Sequence, residues 1–354
     1  AGKAIRAWGW QMLTDLHGPI IMSQAYEPGR RVFDYDEQEA VYAEVVRLCN
    51  EALEQLNRTG NTASRSFWQN EDLIYEGDTE KWEKFVYGLL AVNAHNLSNK
   101  AGYDPQQVID YVDQSFSGNE DNASVRTEGS VNDDTNFFGP RRDNITNFRQ
   151  TVFILGLLNG ETFGITDPRL PVMLVPAPDG EYRGVQPTFG YTDMPEEERP
   201  HNLWNTPSLP EPEHEGKFLF RNDQPIPLMT YFQLQFIKAE AALEAGNRAL
   251  ALEAYRNGIA AHMEFCGIAA EDMNAYMASE AVAQTAGELT LSDIMLQKYI
   301  ALWGWGFLET WNDLRRYSYS PDVFTGFQLP PAGRLYPDNQ GKPAYRFRAR
   351  YNSE

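Results

Sequence analysis

The chain has 354 residues, 42% of them hydrophobic, enough for one large core or two closely packed lobes. Fifty Asp and Glu against thirty Lys and Arg leave a net charge of −20, which argues against nucleic acid as a partner because phosphate binding needs basic surface. No apolar run approaches the roughly 20 residues that cross a bilayer, and no secretory signal opens the sequence, so such a signal is expected to have been removed or to lie outside it.

Helical periodicity dominates both ends. Arg6 to Ile20 reads as a first helix carrying Trp8 and Trp10. In residues 36–57, Val41, Val45, Leu48, Ala52 and Leu56 recur at three- and four-residue spacings, beside a second row of Tyr42, Val46, Cys49 and Leu53. Together they make a wide apolar face. Residues 79–98 repeat the pattern through Trp82, Phe85, Val86, Leu89, Leu90 and Leu97, with Asp78 where a helix start wants a cap. Asp104-Pro105 marks another start, followed by Val108, Ile109, Val112 and Phe116 on one face. Residues 229–245 and 248–265 form a helix pair separated by Gly246 and Asn247. Ala251, Tyr255 and Gly258 in its second member follow the small, large, small order of tetratricopeptide repeats. Leu291 to Tyr319 reads as a long helical run ending in an aromatic and arginine cluster.

Residues 117–228 differ in texture, being rich in Gly, Pro, Asn and Asp. They read as a loop-rich insert on a helical scaffold of about 1–116 and 229–320, interrupted by a helix near Thr146 to Asn159 and a short strand after Asp167-Pro168-Arg169. Long irregular inserts are common places for binding surfaces. Cys49 and Cys266 lie far apart in amphipathic helices without a CxxC, and read as small buried apolar residues. A bridge between them is left open.

Catalytic motifs are absent: no phosphate loop, no dinucleotide fingerprint, no G-x-S-x-G and no H-E-x-x-H. The five histidines are scattered, and His214 in an acidic proline-flanked run reads as solvated surface, so neither metal nor cofactor is expected. Fifty acidic residues allow many carboxylate pairs, and sequence selects none, so an all-helical carbohydrate-active enzyme remains the alternative. A scaffold that binds only protein is a third reading.

Aromatic residues, at 13%, are the remaining chemical signal. Sugar rings present C–H faces that flat aromatic faces bury well, while polar neighbours fix the hydroxyls. In the insert Asn136, Phe138, Phe189, Tyr191, Asn202 and Trp204 combine both ingredients, and Trp68 ahead of the 79–98 helix is a further candidate in what reads as a polar loop. Trp204 is the first choice for a platform, the competing reading being a plug that pins the loop. For Phe137 and Phe138 packing competes more strongly. Trp8, Trp82, Trp303 and Trp311 are expected in the core. Trp10 and Trp305 are expected to point at a neighbouring element or a partner.

Several segments resemble the SusD/RagB family. Gln297, Lys298, Tyr299, Ile300, Ala301 and Leu302, then Glu309, Trp311, Asp313, Arg315, Arg316 and Tyr317, are similar to its carboxy-terminal signature. RAWGWQMLTDLHGPI, the Asp34–Leu56 and Gly77–Ser98 helices, DPRLPVMLVPA and the Tyr231–Ile268 pair resemble further family segments in the family order. The resemblance implies a mainly α, tetratricopeptide-like fold within one SusD-like domain spanning 1–354. It implies a non-catalytic protein that captures a glycan, or alternatively a peptide, at the cell surface and hands it to a SusC-like TonB-dependent transporter. It implies a lipid anchor in the outer membrane, whose acylated cysteine is expected outside this sequence together with the family's amino-terminal region. The closing AYRFRARYNSE only loosely matches the family's ending. Arg315 and Arg316 with Asp313 are expected to form ion pairs or cap a helix.

Overall fold

A computed structural model describes residues 1–58, 65–335, 337 and 342; the closing AYRFRARYNSE lies outside the described residues. In chain order the helices are α1 (Gly2–His17), α2 (Gln38–Leu56), α3 (Arg65–Glu71), α4 (Thr79–His95), α5 (Pro105–Asp113), α6 (Val152–Leu158), α7 (Leu170–Met173), α8 (Tyr231–Glu244), α9 (Arg248–Phe265), α10 (Ala270–Met277), α11 (Leu291–Leu302) and α12 (Phe307–Arg316). The expected starts carry real caps. Asp78 accepts from the backbone N–H of Glu80 and Lys81, and Asp104 from Gln106 and Gln107 ahead of Pro105. Thr290 and Asp293 form a reciprocal capping box at α11.

Helices neighbouring in sequence pack as pairs, α1 on α2, α4 on α5 and α8 on α9, and α2–α4 and α5–α8 contacts join the pairs into one stack. This is the tetratricopeptide-like arrangement. One close approach between α8 and α9 has a simple cause in sequence. Gly258 of α9 faces the Phe236 ring of α8, where a Cβ would stand 2.9 Å from the ring. Ala251 and Tyr255 on the same helix are fully buried. The apolar rows read from the sequence, including Val41, Val45, Leu48, Phe85 and Leu89, line one continuous core, and Cys49 and Cys266 are free and buried in it.

Four expectations change, the first being the short strand after Asp167-Pro168-Arg169, where the chain forms α7 and then only an isolated bridge between Pro176 and Tyr182. The run from Leu291 to Tyr319 is two helices, because Trp303 takes extended backbone and Gly304 a left-handed conformation (φ 90°), which glycine adopts without steric cost. The helix expected from Thr146 starts only at Val152, where the Thr151 side chain caps it; one turn, closed by the Phe148 N–H on the Ile145 carbonyl, and an irregular stretch precede it. Trp68 sits on the short helix α3 rather than in a loop. Of the tryptophans, Trp82 is buried as expected and Trp10 is also buried, edge-on to Tyr26. Trp8, Trp303 and Trp311 are half-buried, and Trp305 meets Phe232 edge-on.

The insert has a defined stem. Ala123–Val125 (β1) pairs antiparallel with Ile226–Met229 (β2), in register Val125↔Ile226 and Ser124↔Pro227 with an irregularity before Ala123↔Met229. The chain therefore leaves the scaffold and returns to it side by side. Among the described residues no helix is long and apolar enough to cross a membrane.

Candidate functional site

The residues of the carboxy-terminal signature point inward. Arg316 donates to both carboxylate oxygens of Glu240 and to Asp313, and Lys298 pairs with Asp313 at 2.8 Å. Tyr317 donates to Glu240, and His95 Nε2 lies 3.0 Å from the same carboxylate. Burial alone would raise the Glu240 carboxyl, but Arg316, His95 and Lys298 hold it well below the usual carboxylate range. Burial lowers His95. A second buried network joins Asp167 and Arg169, which is fully enclosed. Arg169 forks onto Asp167 at 2.9 and 2.6 Å, reaches His262 Nδ1 at 2.9 Å and donates to Gln297 Oε1 at 2.7 Å. Burial, then the adjacent Arg169 charge, pushes His262 well below its ordinary value. These groups tie α4, α8, α9, α11 and α12 together, so Gln297, Lys298, Asp313 and Arg316 of the signature are spent on bracing the scaffold. The ion pairs expected for Arg316 and Asp313 are present. Arg315 stacks on Trp311 and donates to the Asp15 carbonyl.

Two other carboxyls are pushed upward. Burial outweighs the bonds from Tyr42 and Gln11 and raises Asp15 to about 6. Burial, with the nearby charges of Asp15 and Asp313, raises Glu309 to about 8. Such values suit acid–base chemistry, but access does not. The Asp15 carboxylate is buried under donors from Gln11, Tyr42 and Asn96. Glu309 borders a cavity of about 60 Å³ beside Trp8 and Trp305, with room for a few waters and not for a sugar ring.

Within the insert, the structure separates the sequence candidates into two groups. Trp204 is 0% exposed, packed against Ile145 and Phe220, and its indole N–H donates to the Phe138 carbonyl at 2.7 Å. Asn202 Oδ1 accepts from Thr206 Oγ1 and from the N–H of Trp204 and Thr206, while its Nδ2 donates to the Ser208 carbonyl. Asn136 bridges the Leu219 carbonyl and the Phe138 N–H. The expectation of an open platform at Trp204, with Asn202 and Asn136 as its polar neighbours, is therefore corrected to the plug reading. Loops without helical period can still enclose an indole when asparagine side chains supply the backbone partners a strand would supply. Phe138 is half-buried, edge-on to Phe137 at 5.2 Å.

Phe189 and Tyr191 form the second group. Phe189 is 48% exposed and Tyr191 half-buried, on a turn in which Thr188 (φ 71°) and Gly190 (φ 79°) both take left-handed backbone. That conformation is a genuine outlier for a β-branched residue, and such strain collects at functional sites. Arg149 stacks over the Tyr191 ring at 4.7 Å. Its five N–H groups go to the carbonyls of Thr146, Phe148, Pro200 and Pro207 and to the Tyr191 hydroxyl, so it gathers three loops beneath the turn. Phe148, 59% exposed, projects from one of those loops. Arg334 stacks on Phe189 from the far end of the chain. Arg149, Phe148 and Arg334 were not candidates on sequence; an arginine beside a phenylalanine carries no periodic signal.

Trp68 belongs to a different place. It is half-buried against Gly77 in the wall of an open polar cleft of about 770 Å³, with Gln55, Gln69, Glu76 and Glu80 among its lining. Among the described residues no group of His, Cys, Asp and Glu could hold a metal ion.

The architecture is a helical-repeat scaffold braced by buried pairs of its signature and carrying an insert that displays aromatic side chains. The family model for SusD-like proteins, described as "starch-binding associating with outer membrane", matches residues 1–330, and the chain belongs to that family. Solved structures with the same fold include a SusD homolog from Bacteroides uniformis (TM-score 0.68, 21% identity, covering 90% of this chain and 68% of that one). Another, from Bacteroides fragilis, has a TM-score of 0.70 and 18% identity, covering 92% and 74%. A chitin-binding SusD homolog from Flavobacterium johnsoniae aligns with a TM-score of 0.67 and 20% identity, covering 96% and 71%. No curated protein matches the chain.

Proposed function

We propose that this protein captures a glycan without cleaving it, on the insert face centred on Phe189 and Tyr191, and delivers it to a SusC-like TonB-dependent transporter at the outer membrane. The observation that carries the reading is the strained turn at 188–191, which holds Phe189 outward with Tyr191 half-exposed beside it on loops that Arg149 ties together. Family membership supports saccharide as the cargo class, and a relative described as chitin-binding makes chitin oligosaccharides the first probe. The inaccessibility of Asp15 and the small cavity at Glu309 support a binding role over the hydrolase alternative. Lipid anchoring and exposure at the cell surface belong to the same proposal, as does peptide as the competing cargo.

The test is calorimetric titration against neutral and acidic oligosaccharides with mixed peptides included, followed by recovery of the ligand. Binding of a glycan recovered intact, lost in Phe189→Ala and Tyr191→Ala, supports the proposal. Release of new reducing ends, or binding of peptides alone, overturns it.

A further inference from the structure

Resting on that reading, we propose that Arg334 is a ligand-contacting residue of the Phe189–Tyr191 surface, and that it selects neutral sugars bearing adjacent hydroxyls. Its guanidinium carbon lies 4.6 Å from the Phe189 ring centroid. The residue is exposed, and among the described residues no carboxylate pairs with it.

The arm that delivers Arg334 is held in place. Phe327 packs on Phe153 at 5.3 Å and stacks with Tyr319, then Pro330 and Pro331 restrict the backbone, and the Arg334 N–H closes a turn on the Pro331 carbonyl at 2.8 Å. A guanidinium lying on a ring has its N–H edges directed outward in its own plane. That fork matches two neighbouring oxygens in one plane, a geometry the point charge of lysine does not reproduce. Two adjacent sugar hydroxyls offer such a pair of acceptors, and so does a uronate carboxylate.

Charge separates the two. Asp193, in the turn closed by the Met194 N–H on the Tyr191 carbonyl, and Glu196 and Glu197 just beyond it are all exposed. Arg149 and Arg199 also lie at this turn, their N–H groups spent on main-chain carbonyls, so the turn itself is near balance and the net charge of −20 over the whole chain is what repels a polyanion and tolerates a neutral sugar. The aromatic faces meet the C–H faces of the sugar while Arg334 binds its edge.

The experiment titrates the full chain and its Arg334→Ala and Arg334→Lys variants with maltohexaose, cellohexaose and hexagalacturonate, with a thermal melt as the control for folding. The expected result is binding of a neutral hexasaccharide, weakened about tenfold or more in Arg334→Ala and still several-fold in Arg334→Lys, with unchanged melting. Neutral binding that is equal or tighter in the variants overturns the role of Arg334 and leaves the capture function standing. Preference for hexagalacturonate overturns the neutral specificity. Absence of binding to all three by the parent protein counts against both the capture reading and this inference.

Discussion

Trp204→Ala separates the plug from the platform. The indole is fully enclosed, and removing a buried Trp costs about 3–5 kcal/mol through lost transfer and the cavity left behind. Its N–H bond to the Phe138 carbonyl adds about 1 kcal/mol, because that carbonyl loses its partner. At about 2.1 cal/mol/K per residue, 354 residues melting together have an unfolding entropy near ~0.7 kcal/mol/K, so the substitution lowers the midpoint by about 6–8 °C. If the insert melts by itself the drop is larger and appears as an earlier transition. Scanning calorimetry reads both cases, and limited proteolysis between residues 136 and 209 locates the damage. Trp204→Phe, which keeps most of the packing and loses the bond, falls between parent and alanine variant. A Trp204→Ala protein that melts within about 1 °C of the parent yet no longer binds the glycan refutes the reasoning and restores the platform.

Glu309→Gln tests the raised carboxyl at the α1–α12 seam. Its folded pKa, about 8, lies above the ordinary carboxyl value, so the protonated form stabilises the fold and that contribution is lost as pH rises through about 8. The melting temperature of the glutamine variant should therefore gain on the parent between pH 5 and about 8.5; parallel curves exclude the assignment. His95 and His262 act in the opposite sense. Their lowered folded pKa values keep them neutral, so their contribution is present above the unfolded histidine value and fades as pH falls below about 6.5, and urea midpoints at pH 7 and 5 should show the loss. Arg169→Met strands Asp167 in the core and should cost about 3–5 kcal/mol in urea unfolding; a cost below about 1 kcal/mol would mean the network relaxes around the loss. Gly258→Ala pushes a methyl into Phe236 and should destabilise by about 1–3 kcal/mol, with a neutral result showing that the ring can give way.

The scaffold was legible in the sequence because each of its helices carries a local rule. Apolar rows at three- and four-residue spacings, Asp78 and Asp104 as caps, and the Ala251, Tyr255, Gly258 series each fix one element without knowledge of its neighbours. The break at Gly304 was less visible, since its flanks, Leu291–Leu302 and Phe307–Arg316, both read as helix and only a backbone angle divides them. The insert was legible as an insert and opaque in its interior. Phe189 and Trp204 have similar polar surroundings in sequence, yet one is displayed and the other enclosed, because the difference lies in which distant group each meets: the Phe138 carbonyl for Trp204, the Arg334 side chain for Phe189. Partners 66 residues away for one and at the far end of the chain for the other leave no trace in spacing.

The asparagine and arginine pins of the insert have a consequence for how such a protein changes its cargo. Asn136, Arg149, Asn202 and Trp204 grip main-chain atoms, which are the same whatever side chains the gripped residues carry. Phe148, for example, is held by its carbonyl while its ring stands in solvent. Support and display are thus separate inheritances of the loop. The rings at 148 and 189 can be exchanged for other residues while the frame beneath them stays the same, so a library randomised there and held constant at the pins should yield folded proteins with many specificities.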